Sequence, residues 1–459
     1  MSEHLINATP TKEFFIDMIV RDIPLHMAIL DLIDNSIDSA YQKSGSADLT
    51  GFSIKISCTK DEFVIKDNCA GFDIETAENY VFRFGSNNKT ETTKSSIGQF
   101  GIGLKRTIFK MGNIFRVDSN TSNTSLTIED NISNWSHRTR DIIVNGIVEQ
   151  EDDWHFKFSK RESDIQNQNT GTTIRITELF PNIVSSFSNK LFITKLSNEI
   201  KIAHMVSLNS GLNIELEYFD DEMKKVNITP DELSLINNDY IKPINHTYDI
   251  TLSTGDVIKA HMYVGIINRD FNKSGVFIFC NNRTILHANK DSTIWNVDVI
   301  GKNWHHNYAL FCAYIFLESE KTSVLPWTTT KEGVDEDSEA FHKLSSLLNI
   351  VSEPVLNFLR KGAHERDNYS KNKYINMPIY DAIESSSEVG FRESPMSTNF
   401  YINIAEALEN ETFEVSKRIQ YDMPEAKIQK LKTILGVEHN YEVGIETFKR
   451  VYNKLVLGK

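Results

Sequence analysis

The sequence predicts an α+β protein of two to four domains, and three observations carry that expectation. The chain has 459 residues, against about 150 for a typical domain. Its first block interleaves 3.6-residue and two-residue apolar periods with glycine turns. The remainder separates into a strand-rich part and a mostly helical part. Hydrophobic residues are 40% and charged residues 24%, which is ordinary globular usage and excludes a mostly disordered chain. No run approaches 18 apolar residues, so no transmembrane helix and no membrane partner are expected. Residues 1–15 lack a basic stretch followed by an apolar run, so no secretory signal is expected. Cys58, Cys69, Cys280 and Cys312 are scattered, with no CxxC pair. That excludes a zinc knuckle or a disulfide scaffold and fits a cytoplasmic protein.

The formal charge is −14, from 63 acidic and 49 basic residues. Wrapping of DNA by the whole surface is not supported by that balance, although a local basic groove is not forbidden. No internal repeat is visible. The composition suggests three blocks, at residues 12–190, 195–340 and 341–459, with polar stretches near 362–373 and 385–397 as candidate linkers.

The chemistry-bearing residues lie in the first block. In residues 25–41, Ile29, Leu32, Ile33, Ile37 and Ala40 form a helical apolar stripe. Asp31, Asn35 and Asp38 share the complementary face. An amide oxygen beside carboxylates can hold a hard cation and orient a water. Taken alone, the same pattern also fits a helix with a solvated acidic face. Residues 63–72 read as a β-branched run ending in Asp67-Asn68 and a turn closed by Gly71. A strand-end carboxylate can accept a hydrogen bond from a buried amine, and the pattern equally fits a plain strand-to-turn junction.

Further on, Gly98, Gly101 and Gly103 precede a helix-compatible run containing Lys105 and Arg106. Glycines let backbone N–H groups approach phosphates, and a following helix start favours anions. No Walker A pattern occurs. Residues 84–96, rich in Ser, Thr, Asn and Lys, are a candidate lid. Residues 170–179 alternate Thr172, Ile174 and Ile176 as a strand whose threonine can reach a base.

In order and spacing these segments resemble the gyrase, chaperone, histidine-kinase and MutL (GHKL) superfamily of ATPases. DLIDNSIDSA is similar to the N-box, DNCAGF to the adenine-binding box, GQFGIGLK to the phosphate-binding glycine box and GTTIRI to the final Gly-Thr strand. The resemblance covers roughly residues 15–180. It implies a Bergerat-type α/β sandwich, a mixed sheet with helices on one face, binding ATP and Mg2+. Asn35 would be the magnesium ligand. Asp67 would bind the adenine amino group, with Gly71 and Thr172 supporting that end. Asp38 and the run Gly98, Gln99, Phe100, Gly101, Ile102, Gly103, Leu104 and Lys105 would line the nucleotide.

Two departures stand out. The general base of the family is a glutamate four residues before the magnesium asparagine, and here that residue is Asp31. Aspartate is shorter by one methylene, about 1.5 Å of reach, and a base must come within about 3 Å of its proton or act through a water. Cys69 replaces a usual glycine, and its expected role is packing rather than reactivity.

The second block adds GVFIFCNNRTI, residues 275–285, which looks like the strand and turn of the transducer domain in Microrchidia and MutL-type members. Lys331, in LPWTTTKEGVD, is the candidate lysine reaching the γ-phosphate. The resemblance therefore implies an α/β transducer domain and a helical C-terminal region. The expected activity is a Mg2+-dependent ATPase switch that clamps as a homodimer and serves a protein partner or client. Genome maintenance or anti-phage defence would suit such a machine. The alternative is a nucleotide-gated scaffold with little hydrolysis, because of Asp31. A histidine kinase is not expected, since only about eleven residues precede the first element and no phosphoacceptor hairpin fits there.

Overall fold

The computed structural model describes residues 10–84, 97, 102–144, 147–162, 169–402 and 418–458. The chain divides into two compact units, Met1–Asp367 with Met377–Asn410, and Asn368–Asn376 with Glu411–Lys459.

The first unit opens with α1 (Lys12–Arg21) and α2 (Leu25–Ser44). Thr11 caps α1 by accepting from the Phe14 N–H, and Gly45 closes α2 in the left-handed region at φ +62°. Strands β1 (Ser53–Cys58) and β2 (Glu62–Asp67) follow, then a short turn of helix, α3 (Ile74–Thr76). After α4 (Gly103–Met111) come β3 (Gly112–Asn120), β4 (Thr124–Asn131), α5 (Ile132–Ser136), β5 (Thr139–Val144), β6 (Ile147–Asp152), β7 (Phe158–Glu162) and β8 (Gly171–Leu179). Helices α6 (Pro181–Phe187), α7 (Lys190–Ala203) and α8 (Met205–Asn209) then lead to β9 (Asn213–Asp220) and β10 (Glu222–Ile228).

Eight of these strands make one mixed sheet in the order β10-β9-β1-β2-β8-β3-β4-β7. Among the described residues of this sheet, only the β1–β9 pairing is parallel. Alternation explains its two faces. Ile54, Ile56, Phe63, Ile65, Phe115, Val117, Ile174 and Ile176 are buried, while Lys55, Lys66, Arg116 and Arg175 are exposed. The buried face packs under α2, whose Ala28, Ile29, Leu32, Ile33, Ile37 and Ala40 are fully buried at helical spacing. The first sheet thus extends past residue 190, to Ile228, because β9 lies parallel beside β1.

Downstream lie β11 (Ser234–Ile236), β12 (Ile241–Lys242), β13 (Ile244–Thr251), β14 (Val257–Ile266), β15 (Gly275–Cys280), β16 (Arg283–Asn289) and β17 (Phe311–Glu318). A second sheet has the order β13-β14-β17-β15-β16, with β15 and β17 parallel. Both central strands are buried on both faces: Val276, Ile278, Ala313 and Ile315 join the main core, and Phe277, Phe279, Tyr314 and Phe316 form a second cluster. The β15–β16 hairpin turns through Asn281 and Asn282 at φ +45° and +67°. Asparagine tolerates that left-handed pair, which matches the twist of the flanking strands.

Helix α9 (Glu339–Ser370) puts Phe341, Leu344, Leu348 and Val351 into the main core. Helix α10 (Pro378–Glu384) starts on the Glu365 carboxylate, which accepts from the Ile379 and Tyr380 N–H groups. Residues 341–459 are not helical throughout. Strands β18 (Glu388–Gly390) and β19 (Tyr401–Ile402) return to pair with β11 and β12. The short polar runs around them gave no periodic signal to read.

The second unit contains α11 (Glu425–Leu435), ended by Gly436 at φ +69°, and α12 (Asn440–Leu455), started by a capping box between His439 and Glu442. No described helix is long and apolar enough to cross a membrane.

Candidate functional site

Three strand ends meet beneath α2. The inward face of β2 runs Phe63, Ile65, Asp67; that of β3 runs Phe115, Val117, Ser119; that of β8 runs Ile176, Ile174, Thr172. Each apolar row ends in a polar residue, and the register places Ser119 opposite Thr172. Asp67 is 7% exposed. Its Oδ1 accepts from the Cys69 N–H at 2.9 Å and the Thr172 N–H at 3.0 Å, and its Oδ2 accepts from Ser36 Oγ at 2.9 Å. A carboxylate offers about four lone-pair directions, so this one retains acceptor capacity for one further donor. Burial raises the Asp67 pKa, and the donors from Cys69, Ser36 and Thr172 oppose that rise.

The turn after Asp67 is held tightly. Gly71 has φ +69°, and a Cβ there would lie 2.2 Å from the Asn120 carbonyl oxygen. Ser119 Oγ accepts from the Phe72 N–H at 2.7 Å and donates to the Phe72 carbonyl at 3.0 Å. Helix α2 grips the same turn from above, one residue per turn. Ser36 donates to Asp67, Ser39 Oγ accepts from the Ala70 N–H at 3.0 Å, and Lys43 Nζ donates to the Asn68 and Cys69 carbonyls at 2.9 and 3.2 Å. Gly171 at φ +143° lets β8 pass within 2.2 Å (Cβ position) of the Asp67 carbonyl oxygen. Cys69 is buried, and burial beside Asp67 pushes its thiol pKa up, which suits packing rather than nucleophilic chemistry.

The other face of α2 carries the charges. Asn35 is exposed, and its amide oxygen is a hard donor of the kind magnesium takes alongside phosphate oxygens. Asp38 accepts from the Ile97 N–H at 2.8 and 3.0 Å through its two oxygens. Asp31 pairs with Arg106 in a short contact and with Lys331 Nζ at 3.5 Å. Asp34 is fully buried and pairs with Lys331 Nζ at 2.6 Å. Arg283 Nε lies 3.1 Å from Asp34 Oδ1, and His204 Nδ1 lies 3.7 Å from it. Burial first, then Arg283 and Lys331, hold His204 well below its ordinary pKa, so it is neutral here. Lys331 is buried too. That burial would lower its pKa, but Asp34 and Asp31 outweigh it, and the net shift is upward. It sits at φ +58° in a turn closed by its N–H to the Thr328 carbonyl and by the Thr328 N–H to the Gly333 carbonyl.

Helix α4 docks tightly on α2. Thr107 Oγ1 donates to the Ala28 carbonyl at 2.8 Å, and a Cβ on Gly103 would come 3.1 Å from Asp31 Cβ. Ile102 starts α4 and Leu104 points into the core. Lys105 is buried, with Nζ donating to the Val81 and Arg83 carbonyls at 2.9 and 2.6 Å. Gly98, Gln99, Phe100 and Gly101, and the candidate lid at 85–96, lie outside the described residues.

Sequence reading missed Ser36, Ser39, Lys43 and Ser119, and it missed Arg106 as the partner of Asp31. The first three were visible as a stripe at spacings of three and four on α2. Ser119 was not, because its meaning depends on β3–β8 register.

The converging strand ends beneath an acidic, asparagine-bearing helix decide what this part of the chain is similar to. Residues 23–172 match the family model of the histidine kinase-, DNA gyrase B- and HSP90-like ATPases. The matched stretch of this GHKL-type domain runs from just before α2 into the start of β8, so it contains Asp31, Asn35, Asp67, Gly71 and Thr172. It does not reach the five-stranded sheet, Arg283 or Lys331. No curated protein matches the chain.

Proposed function

We propose that the chain is an ATP-binding, ATP-hydrolysing conformational switch. Asp67 carries the reading: a buried strand-end carboxylate, already holding three donors, with acceptor capacity left for the adenine amino group. Thr172 and Gly71 frame that end. Asn35 would hold Mg2+, which supplies charge neutralisation at the phosphates. The glycines at 98, 101 and 103 would offer backbone N–H groups to the same phosphates.

Asp31 is the candidate base for the attacking water. Gly103 leaves room for α4 to pack against it, and Arg106 pairs with its carboxylate. Lys331 enters from the loop after the second sheet and is the candidate partner of the terminal phosphate, where a cation stabilises developing charge. The five-stranded sheet, residues 244–318, would then act as transducer, residues 84–96 as lid, and 341–459 as a partner-binding or dimerising region. ATP would favour closing of the lid and clamping of two subunits.

A second reading has its own observation. Asp31 is engaged by two cations, Arg106 and Lys331. A base so paired abstracts protons poorly, which favours a nucleotide-gated binder with little turnover.

Phosphate release and calorimetric ATP binding, in wild type, Asp31→Asn and Asp67→Asn, separate the two. Asparagine at 31 keeps a partner for Arg106. Turnover lost in Asp31→Asn with binding kept supports the ATPase. Tight binding without wild-type turnover supports the gated binder. In Asp67→Asn the amide turns a donor toward the adenine amino group, so binding should weaken about 10- to 100-fold. Unchanged binding there would overturn the assignment of the site.

A further inference from the structure

The proposed function uses Asp31, Asn35 and Asp67, but it leaves Asp34, Arg283 and His204 without a role. These three, with Lys331, form a buried cluster in which one carboxylate faces three basic side chains from three different segments. Arg283 comes from the β15–β16 hairpin, Lys331 from the 328–333 turn, and His204 from the junction of α7 and α8. All four side chains are 5% exposed or less.

The charge balance of this cluster is uneven. Arg106, Lys331 and Arg283 face Asp31 and Asp34, with His204 neutral, so one positive charge is in excess. The hydrogen bonding is uneven as well. Asp34 Oδ2 accepts from Lys331, but Asp34 Oδ1, Arg283 Nε and both His204 nitrogens have no hydrogen-bond partner among the described residues. Buried charges tolerate neither condition well. Such a cluster favours the arrival of an anion, and Lys331 reaches that anion by giving up its close hydrogen bond to Asp34 and its longer one to Asp31.

We propose that Asp34 is a positioning residue that competes with the terminal phosphate of ATP for Lys331, and so sets how strongly the protein prefers ATP to ADP. The inference rests on the reading of Lys331 as the terminal-phosphate partner. Without ATP, Asp34 holds Lys331 beside Asp31. With ATP, the γ-phosphate takes Lys331, and Arg283 remains to compensate Asp34. ADP offers no γ-phosphate and leaves the pair in place. Asp34 touches no nucleotide in this scheme and acts only through Lys331.

The test is the ratio of Kd for ADP to Kd for a non-hydrolysable ATP analogue, measured by calorimetry on the full chain. It needs wild type, Asp34→Asn, Lys331→Gln and the double variant. Removing the competitor should raise the ratio in Asp34→Asn about tenfold, equivalent to ~1.4 kcal/mol. Lys331→Gln should lower it. In the Lys331→Gln background, Asp34→Asn should change the ratio by less than about twofold, because nothing remains to compete for. A purely structural role for Asp34 would weaken both nucleotides alike and leave the ratio unmoved, which would overturn the proposal. A ratio shifted equally with and without Lys331 would overturn it too. Should Asp34→Asn alone not fold, the double variant removes one charge of each sign, and its comparison with Lys331→Gln decides the same question. If wild type binds neither nucleotide, the ATP reading itself falls and this inference with it. If wild type binds both with no preference that Lys331→Gln alters, only the role of Lys331, and hence this proposal, fails.

Discussion

At the scale of single residues, burial at the site works against the ordinary charge state of Asp67 and of Lys105. Lys105 shows this most simply. Burial lowers its pKa from 10.5 to about 7, while its two acceptors are neutral carbonyls. Between those values the unfolded chain binds the proton more tightly than the folded one. Its contribution to stability therefore rises with pH from about 7 to 10.5, and is flat below about 7, where both states are protonated. In Lys105→Met the rise should vanish. The check is the difference in Tm between wild type and variant, measured at several pH values from 6 to 10; a constant difference would refute it. The sequence placed Lys105 among phosphate contacts because it follows a glycine box. Nothing in the local pattern could reveal that its side chain runs back to residues 81 and 83. The same limit applied to Arg106, since an ion pair with Asp31 requires knowing how α4 lies on α2.

At the scale of elements, what was legible is what repeats. The α2 stripe, the alternation of β2 and β8 and the order of the glycine turns could all be read because periodicity reports the buried face directly. Asp67 and Thr172 were therefore placed correctly as strand-end residues, on β2 and β8. Not legible were β9 and β10 as members of the first sheet, and β18 and β19 as partners of β11 and β12. Those pairings join residues far apart in sequence and leave no local mark beyond a few β-formers. The turn at Gly71 lies between these cases. The glycine was visible, but the reason for it is the Asn120 carbonyl on another strand. Gly71→Ala faces both a left-handed φ and a 2.2 Å approach to backbone. Alanine should cost about 2 kcal/mol or more. Because the clash pushes the Asp67 turn off β3, nucleotide affinity should fall with it. Melting curves and ATP calorimetry on one preparation would show both; a folded variant of normal affinity would mean the turn can shift without moving Asp67.

At the scale of the whole first unit, two sheets of unlike topology meet at a single helix, α2. The eight-stranded sheet carries α2 on its apolar side, and the five-stranded sheet reaches α2 through Arg283 at a hairpin tip. That tip is rigid by construction: Asn281 and Asn282 hold a tight left-handed turn, β15 is fully buried, and the Asn281 N–H donates to the Leu317 carbonyl at 2.9 Å. A change in the charge around Asp34 is therefore felt by a strand pair rather than absorbed by a loose loop. Two packed elements with alternative partners for one buried charge are what coupling between sites requires. Nucleotide binding should thus alter amide hydrogen exchange in β15 and β16, well outside the matched residues 23–172. In Arg283→Gln the hairpin keeps its turn and its strands but loses the charge that feels Asp34. ATP-dependent protection should then persist in β2 and β8 and be lost in β15 and β16, while ATP affinity falls by no more than about threefold. Hydrogen-exchange mass spectrometry with and without a non-hydrolysable ATP analogue reads both regions in one experiment. Equal protection of β15 and β16 in wild type and Arg283→Gln would mean that the second sheet senses nucleotide by another route, through the 328–333 turn alone.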